Sequence, residues 1–252
     1  MSKGCVFLVG AGPGNVDLIT VAGLKALKEA DIVVYDRLVP EELLAFSPKK
    51  APKIYVGKRS GRHELGQDEI NKLLIRHAKE GKKVVRLKGG DPFLFGRGGE
   101  EAESLAKAKV RFRLIPGVTS AIAVPAIAGI PLTHRKLSSS VAIVTGHEDP
   151  EKKKPEVRWK RLAKAVDTLV ILMGAENVAK IARTLIKAGV NPHTEAASIE
   201  WGTTNLQRMV TGTLEAFANE LAEKIRPPSV IVIGKVVRLT KILANREAND
   251  CL

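Results

Sequence analysis

The sequence predicts an α/β protein of two domains, and three observations support this fold class. Short apolar runs alternate with helical patterns through the first half of the chain, which is typical of βαβ units in a mostly parallel sheet. A looser alternation resumes after the polar stretch at residues 133–140. The length of 252 residues accommodates two domains of ordinary size. We expect an N-terminal domain over residues 1–118, a C-terminal domain over 119–240 and a tail over 241–252.

The elements of the first half follow from apolar periodicity. Strands are predicted where short runs rich in β-branched residues occur, at residues 5–9, 31–35, 54–56, 84–87 and 112–115. Helices are predicted between them where apolar residues recur every three or four positions, at residues 21–30, 67–79 and 99–108.

The same criteria place the elements of the second half. Helices are predicted at residues 121–128, 178–187 and 214–221, and strands at 141–145, 169–173, 196–199, near 206–210 and at 230–234. Residues 148–158 contain several lysines and two prolines, which predicts a mobile loop.

Composition excludes several classes of protein. Cys5 and Cys251 are the only cysteines, too few for a disulfide framework or a zinc knuckle, and this fits a reducing cytoplasm. The apolar run at residues 118–131 contains Pro125 and is too short to cross a bilayer, so we expect neither a signal peptide nor a membrane span. The net charge of +14 permits a polyanionic partner, but aromatic residues make up only 4% of the chain, which argues against a single-stranded nucleic acid partner.

A glycine-rich turn follows the first predicted strand. Gly10, Gly12 and Gly14 would let the backbone approach a nucleotide closely. Asp36 closes the second strand, near where a nicotinamide enzyme holds a ribose. However, the dinucleotide pattern needs a third glycine where this chain has Asn15, and a helix that opens directly on the turn. Here the helix is expected to start only at about Thr20, a suitable N-cap.

Two further turns follow later strands. Residues 87–100 contain five glycines, an acid and two phenylalanines, which describes a loop with exposed backbone, a carboxylate and an apolar wall. Residues 115–120 form another glycine-bearing turn, with hydroxyls that could cap the next helix. Since parallel strands end at one edge of a sheet, we expect the three turns to meet there around one ligand.

Three stretches identify a known family. Residues 9–20 (VGAGPGNVDLIT), 85–101 (VRLKGGDPFLFGRGGEE) and 116–120 (PGVTS) resemble the signature blocks of the tetrapyrrole methyltransferases. Residues 34–39 (VYDRLV), 56–61 (VGKRSG) and 67–71 (QDEIN) are similar to the branch of that family that methylates uroporphyrinogen III. The similarity covers residues 4–239, and the long GGDPF block is its most specific part.

The resemblance implies two α/β domains of the class III methyltransferase type, with the active site in the cleft between them. It also implies a homodimer that binds S-adenosylmethionine (SAM), releases S-adenosylhomocysteine and needs no metal. The cofactor-binding positions that it carries over are Pro13, Gly89, Gly90, Asp91, Leu94, Thr119, Ser120, Met173, Gly202 and Ser229. The family often has alanine where Ser120 and Ser229 stand.

By the same resemblance, the substrate is methylated at C2 and C7 to give precorrin-2. Asp36 is implied as the proton acceptor and Lys58 as the proton donor. The residues alone favour a different interpretation, in which Asp36 is a strand-end carboxylate paired with Arg37 or Arg59 and Lys58 is a surface lysine. The eight carboxylates of uroporphyrinogen III need cationic partners, and the basic residues expected to bind them are Arg37, Arg59, Arg62 and His63.

Three alternatives stay open at this point. A nicotinamide oxidoreductase is disfavoured by Asn15 and the late helix, and a nucleic-acid-binding protein is suggested only by charge. Sister enzymes that methylate later precorrins, cobalt-precorrins, ribosomal RNA or diphthamide share the glycine turns but generally lack the VYDRLV, VGKRSG and QDEIN stretches.

Overall fold

A computed structural model describes residues 4–57, 66–147 and 157–244 of the chain. The chain divides into two compact units, Met1–Thr119 and Ser120–Leu252. Each unit is built around a five-stranded sheet with helices packed on it, which confirms the predicted α/β class. None of the helices in the described ranges has the length and apolar character needed to cross a membrane.

The first unit contains a parallel sheet in the strand order β3-β2-β4-β1-β5. Its elements in chain order are β1 (Cys5–Gly10), α1 (Val21–Lys28), β2 (Ile32–Tyr35), α2 (Glu41–Leu44), β3 (Lys53–Tyr55), α3 (Gln67–Lys79), β4 (Lys83–Lys88), α4 (Gly98–Lys107) and β5 (Arg111–Ile115). The mostly parallel sheet expected from the alternating pattern is therefore confirmed.

Helices cover both faces of this sheet. Leu27 of α1 and Leu43 of α2 pack with one set of strand residues, whereas Leu74 of α3 and Leu105 of α4 pack with the opposite set. The neighbouring strands β1 and β4 are thus followed by helices on opposite faces. Ligands of open α/β sheets bind outside the carboxyl ends of strands at such a point.

The second unit contains a mixed sheet in the order β6-β7-β10-β8-β9. Its elements are α5 (Ser120–Ile127), β6 (Val141–Thr145), α6 (Trp159–Ala165), β7 (Thr168–Leu172), α7 (Val178–Lys187), β8 (Glu195–Glu200), β9 (Arg208–Thr213), α8 (Leu214–Asn219), β10 (Ser229–Ile233) and α9 (Thr240–Leu243). Strands β6 and β7 are parallel, and the other pairings are antiparallel.

One core cluster joins α7 and α8 to this second sheet. Leu185 and Phe217 from these helices pack with Ile171 and Ile231 from the strands. The last helix, α9, is fixed where the Thr240 hydroxyl donates a hydrogen bond to the Ala128 carbonyl.

The structure adds helices that periodicity did not predict. Helix α2 is a single turn after Pro40, and it has the buried residues Leu43 and Leu44. One turn is too short to show a helical repeat. Helix α6 begins just after the predicted loop at residues 148–158, most of which lies outside the described residues.

The carboxyl end of α3 carries a small charged cluster. Glu80 accepts hydrogen bonds from Lys82 at 2.8 Å and from His77 at 3.0 Å. The hydrogen bond from Lys82, followed by that from His77, lowers the pKa of Glu80 to about 2. This cluster stabilises the turn between α3 and β4 only while Glu80 is ionised.

Candidate active site

Three glycine turns meet at the carboxyl edge of the first sheet. The register pairs Gly10 at the end of β1 with Lys88 at the end of β4, and β5 ends beside them. Gly12 and Gly90 exchange backbone hydrogen bonds of 3.3 and 2.7 Å. The Gly117 amide donates to the Asp91 carboxylate at 3.0 Å. The predicted convergence of the turns is confirmed.

The contact between these turns leaves no space for side chains. A methyl group on Gly10 would lie 2.6 Å from the Gly90 carbonyl oxygen, and one on Gly117 would lie 2.6 Å from the Gly10 Cα. The neighbours are backbone atoms, which cannot rotate away. Glycine at these positions is therefore a requirement of close backbone approach.

The helix after the first turn starts late, as the sequence predicted. A short 3-10 turn spans Val16–Leu18, and α1 follows with Thr20 as its N-cap, whose hydroxyl accepts a hydrogen bond from the Gly23 amide at 3.1 Å. Residues 15–20 thus separate the glycines from α1, so the N-terminus of that α-helix does not adjoin Gly14 as a phosphate-binding helix would. This geometry disfavours a dinucleotide site.

The Asp91 carboxylate organises the loop after β4. One oxygen accepts a hydrogen bond from the Phe93 amide at 2.8 Å, and the other accepts that of Gly117. Gly89 lies against Leu38, since a methyl group added to it would be 3.1 Å from the Leu38 Cβ. The Phe93 and Phe95 side chains are exposed. The two phenylalanines that were expected to form an apolar wall are therefore exposed on the surface of the first unit.

Asp36 lies directly after β2 and is paired with an arginine that the sequence analysis did not single out. Its Oδ1 is 2.6 Å from Arg86 Nη2, and its Oδ2 is 3.8 Å from Lys88 Nζ. Both cations lie on β4 and are almost fully buried. Two charged residues at alternating positions in the buried part of β4, among Val84, Val85 and Leu87, were the signal that could have identified them.

The remaining predicted residues of this unit are only partly within the described chain. Arg37 is exposed beside Asp36, so its guanidinium is available to an anionic substrate. Four predicted residues lie outside the described residues, namely Lys58, Arg59, Arg62 and His63.

In the second unit, strand register brings three predicted cofactor positions to one edge of the sheet. Met173 directly follows β7, Gly202 is the second residue after β8, and Ser229 opens the antiparallel strand β10 between them. Ser229 is paired with Glu200, the last residue of β8. The Ser229 hydroxyl is buried and has no hydrogen-bond partner among the described residues.

Backbone strain marks the same edge. Met173 and Trp201 have φ angles of 54° and 46°, in the left-handed region that bulky residues rarely occupy. Both side chains are exposed, so burial in a core does not explain the strain. Strained residues of this kind concentrate at ligand sites. Thr119 and Ser120, the other predicted pair, lie at the start of α5.

Metal ligands do not gather anywhere in the described ranges: no three His, Cys, Asp or Glu side chains there could hold an ion together.

Comparison with known proteins identifies the family. The family model for Tetrapyrrole (Corrin/Porphyrin) Methylases matches residues 5–218. The chain is 53% identical over 241 residues to a uroporphyrinogen-III C-methyltransferase of Methanocaldococcus jannaschii, covering 94% of this chain and 98% of that protein.

Two solved structures are similar over nearly the whole chain. The Thermus thermophilus uroporphyrin-III C-methyl transferase complexed with S-adenyl homocysteine is 42% identical, with a TM-score of 0.81 and 94% of each chain covered. A cobalt precorrin-4 methyltransferase is 31% identical, with the same TM-score of 0.81, and the match covers 92% of this chain and 95% of that one. The chain belongs to the tetrapyrrole (corrin/porphyrin) methylase family.

Proposed function

We propose that this protein is a SAM-dependent C-methyltransferase that methylates uroporphyrinogen III at C2 and C7, giving precorrin-2 and two S-adenosylhomocysteines. The structural observation that carries the proposal is the meeting of the three glycine turns beside Asp36, with the following helix displaced from them. Relatives named for this activity, one of them 53% identical along almost its full length, support the same substrate.

The residues present fit SAM better than a dinucleotide. SAM has no phosphate, so it needs no helix N-terminus, and α1 begins only at Val21, seven residues after Gly14. In the second unit, the unpartnered Ser229 hydroxyl and the strained, exposed Met173 are features of a ligand site. We assign the cofactor contacts of the first unit to Pro13, Gly89, Gly90, Asp91, Leu94 and Thr119, and those of the second to Ser120, Met173, Gly202 and Ser229.

The carboxylate of Asp91 has a limited role in this assignment. Each of its oxygens already accepts a backbone hydrogen bond, although a carboxylate oxygen can accept a second one. We infer that Asp91 mainly fixes the loop that carries Gly89 and Gly90. The backbone of that loop is then preorganised, which lowers the entropic cost of ordering it around a ligand.

The chemistry requires no nucleophilic side chain. Bound SAM supplies a methyl group on a positively charged sulfur, which an electron-rich pyrrole β-carbon can attack. The protein must align the reacting atoms, and Asp36 is assigned to accept, on a carboxylate oxygen, the proton that the alkylated ring loses. Lys58 is assigned as the proton donor by its place in the VGKRSG stretch.

The substrate carboxylates are assigned to Arg37, which adjoins Asp36 in the chain, and by sequence position to three residues outside the described ranges. Arg37 is exposed, and Arg59, Arg62 and His63 follow Lys58 in the sequence. Guanidinium groups bind carboxylates through paired hydrogen bonds. This use of positive charge explains part of the net charge of +14 without a nucleic acid partner.

Two further properties are proposed from the family resemblance and from composition. We infer a homodimer, which sedimentation of the purified protein would test. We also infer a cytoplasmic location, which is consistent with a chain that has only two cysteines.

The direct test incubates the purified protein with SAM and freshly made uroporphyrinogen III without oxygen. The expected result is a product two methyl groups heavier than the substrate, with two S-adenosylhomocysteines released for each one formed. No methylated product would refute the proposal. The second candidate is a sister methyltransferase, favoured by the similarity to the cobalt precorrin-4 enzyme, and methylation of later corrin precursors in place of uroporphyrinogen III would support it.

A further inference from the structure

A buried charge cluster lies behind Asp36 in the first unit. Glu101, in the first turn of α4, is 0% exposed. Its Oε1 accepts hydrogen bonds from Arg86 Nε at 3.0 Å and from Lys88 Nζ at 2.9 Å. Arg86 and Lys88 are only 2% and 4% exposed. One carboxylate oxygen thus binds both cations that approach Asp36.

Stability alone does not account for this cluster. Buried ion pairs are often no more stabilising than apolar residues of the same volume, because desolvation offsets their attraction. The pairing here is also incomplete, since Arg86 Nη1 and Glu101 Oε2 are buried without a hydrogen-bond partner among the described residues. A role in holding a neighbouring side chain in a fixed orientation explains why these buried charges are present.

The geometry connects Glu101 to Asp36 through a rigid group. Arg86 uses Nε for Glu101 and Nη2 for Asp36, at 3.0 and 2.6 Å. Since the guanidinium is planar, holding Nε in place also fixes the direction of Nη2. Gln67 adds a hydrogen bond of 3.3 Å to the same Glu101 oxygen. The carboxylate that faces the proposed substrate is therefore oriented from the interior.

Lys88 depends on the same carboxylate. Burial lowers the pKa of its ammonium and the charge of Arg86 acts in the same direction, whereas Glu101 and Asp36 oppose the change. Loss of Glu101 would therefore favour neutral Lys88 and weaken its attraction for Asp36, which is 3.8 Å away.

We propose that Glu101 is a positioning residue, which acts through Arg86 and Lys88 to hold the Asp36 carboxylate in the orientation needed to accept a proton. This inference rests on the proposed function, in which Asp36 is the proton acceptor. Glu101 itself touches no substrate, because it is fully buried. It belongs to the GGDPF block of the sequence, whose last acidic residue otherwise has no assigned role.

The kinetic test compares Glu101→Gln with Glu103→Gln. Glu103 lies on the same helix but is exposed, with only a 3.6 Å pair to Lys107, so its variant is the matched control. We expect Glu101→Gln to lower kcat at least about tenfold with unchanged KM and affinity for SAM, because small displacements of reacting groups are costly. The control should keep wild-type kcat. A Glu101→Gln enzyme with wild-type kcat, or one with equal losses of SAM affinity and kcat, would overturn the proposal.

A double-mutant cycle separates positioning from a general loss of structure. If Glu101 acts through Asp36, adding Glu101→Gln to Asp36→Asn should lower kcat by less than about twofold more. Multiplied losses in the double variant would contradict the mechanism. If Glu101→Gln fails to fold, Arg86→Lys replaces it, because lysine keeps the charge but lacks the planar guanidinium that binds Glu101 through Nε and Asp36 through Nη2. A wild-type kcat in that variant would contradict the proposal as well.

A crystal structure of the Glu101→Gln or Arg86→Lys variant decides the positioning independently of activity. The expected result is loss of the ion pair with Asp36 and a rotated carboxylate, and an unchanged Asp36 would refute the inference. If the wild-type enzyme makes no methylated product, the proposed function fails, and this structural comparison still decides whether Glu101 orients Asp36.

Discussion

Replacing Gly117 with alanine should separate the three turns at the edge of the first sheet. The added methyl group would lie 2.6 Å from the Gly10 Cα, whereas ordinary contacts begin near 3.4 Å. The Gly90 carbonyl oxygen would lie closer still, so the backbone of the neighbouring turns must retreat by at least about 0.8 Å. No flexible side chain is present among its nearest atoms to absorb the change.

Two quantities should change as a result. Overpacking of this kind destabilises a protein by about 1–3 kcal/mol. A displacement approaching 1 Å in a site that aligns reacting atoms lowers the rate by about 100-fold. We expect the loss of stability and the loss of rate together, because the same backbone contact stabilises the fold and positions the proposed cofactor loop.

The assay combines denaturant unfolding, calorimetric titration with SAM and initial rates of methyl transfer. Gly99→Ala is the matched control, since a methyl group there meets nothing within 4 Å and the residue lies in α4. Alanine at that helical position should stabilise the protein by about 0.5–1 kcal/mol. If Gly117→Ala kept wild-type stability and turnover, the argument from close backbone approach would be wrong.

Three further outcomes are expected. Asp36→Asn, and separately Lys58→Met, should retain SAM binding by calorimetry while turnover falls by about 10²–10⁴-fold. Near-normal rates in both variants would contradict the assignment of these residues as proton acceptor and proton donor. Glu80→Gln should be less stable than the wild type above pH 4.5 at low salt, and the difference should vanish as the pH falls to about 2. The reason is that the lowered pKa of Glu80 favours the folded state only while its carboxylate is ionised. A pH-independent difference in melting temperature would contradict this. Met173→Gly should relieve left-handed backbone strain of about 1–2 kcal/mol and therefore should not lower the melting temperature. The same variant should bind SAM more weakly, and an unchanged affinity for SAM would argue against contact between Met173 and the cofactor.

Much of the fold of the first unit could be predicted because its strands β1 and β2 are continuous apolar runs and its longer helices have a clear apolar repeat. Strand β1 was expected at residues 5–9 and spans Cys5–Gly10, and α3 was expected at residues 67–79 and spans Gln67–Lys79. Short or exposed elements were predicted less well. The strand expected near residues 206–210 is β9, Arg208–Thr213, whose side chains are mostly not buried and so show little periodicity.

Part of the site was also visible in the sequence. Glycines after β1, β4 and β5 predicted a meeting of turns, since parallel strands end together. The strain at Met173 and Trp201 could not be predicted, because only the folded backbone sets their φ angles. The roles assigned to the site residues stay predictions until the variants are measured.

The sequence by itself determined the α/β class, the late helix after the first turn and the family, since local periodicity, capping residues and motif spacing are properties of neighbouring residues. Only the tertiary structure decided which charge faces Asp36. Arg86 and Glu101 are 50 and 15 residues from their partners Asp36 and Arg86 along the chain, so no local pattern joins them. Strand order places β4 beside β2, packing places α4 over that face, and together they remove Arg86, Lys88 and Glu101 from water.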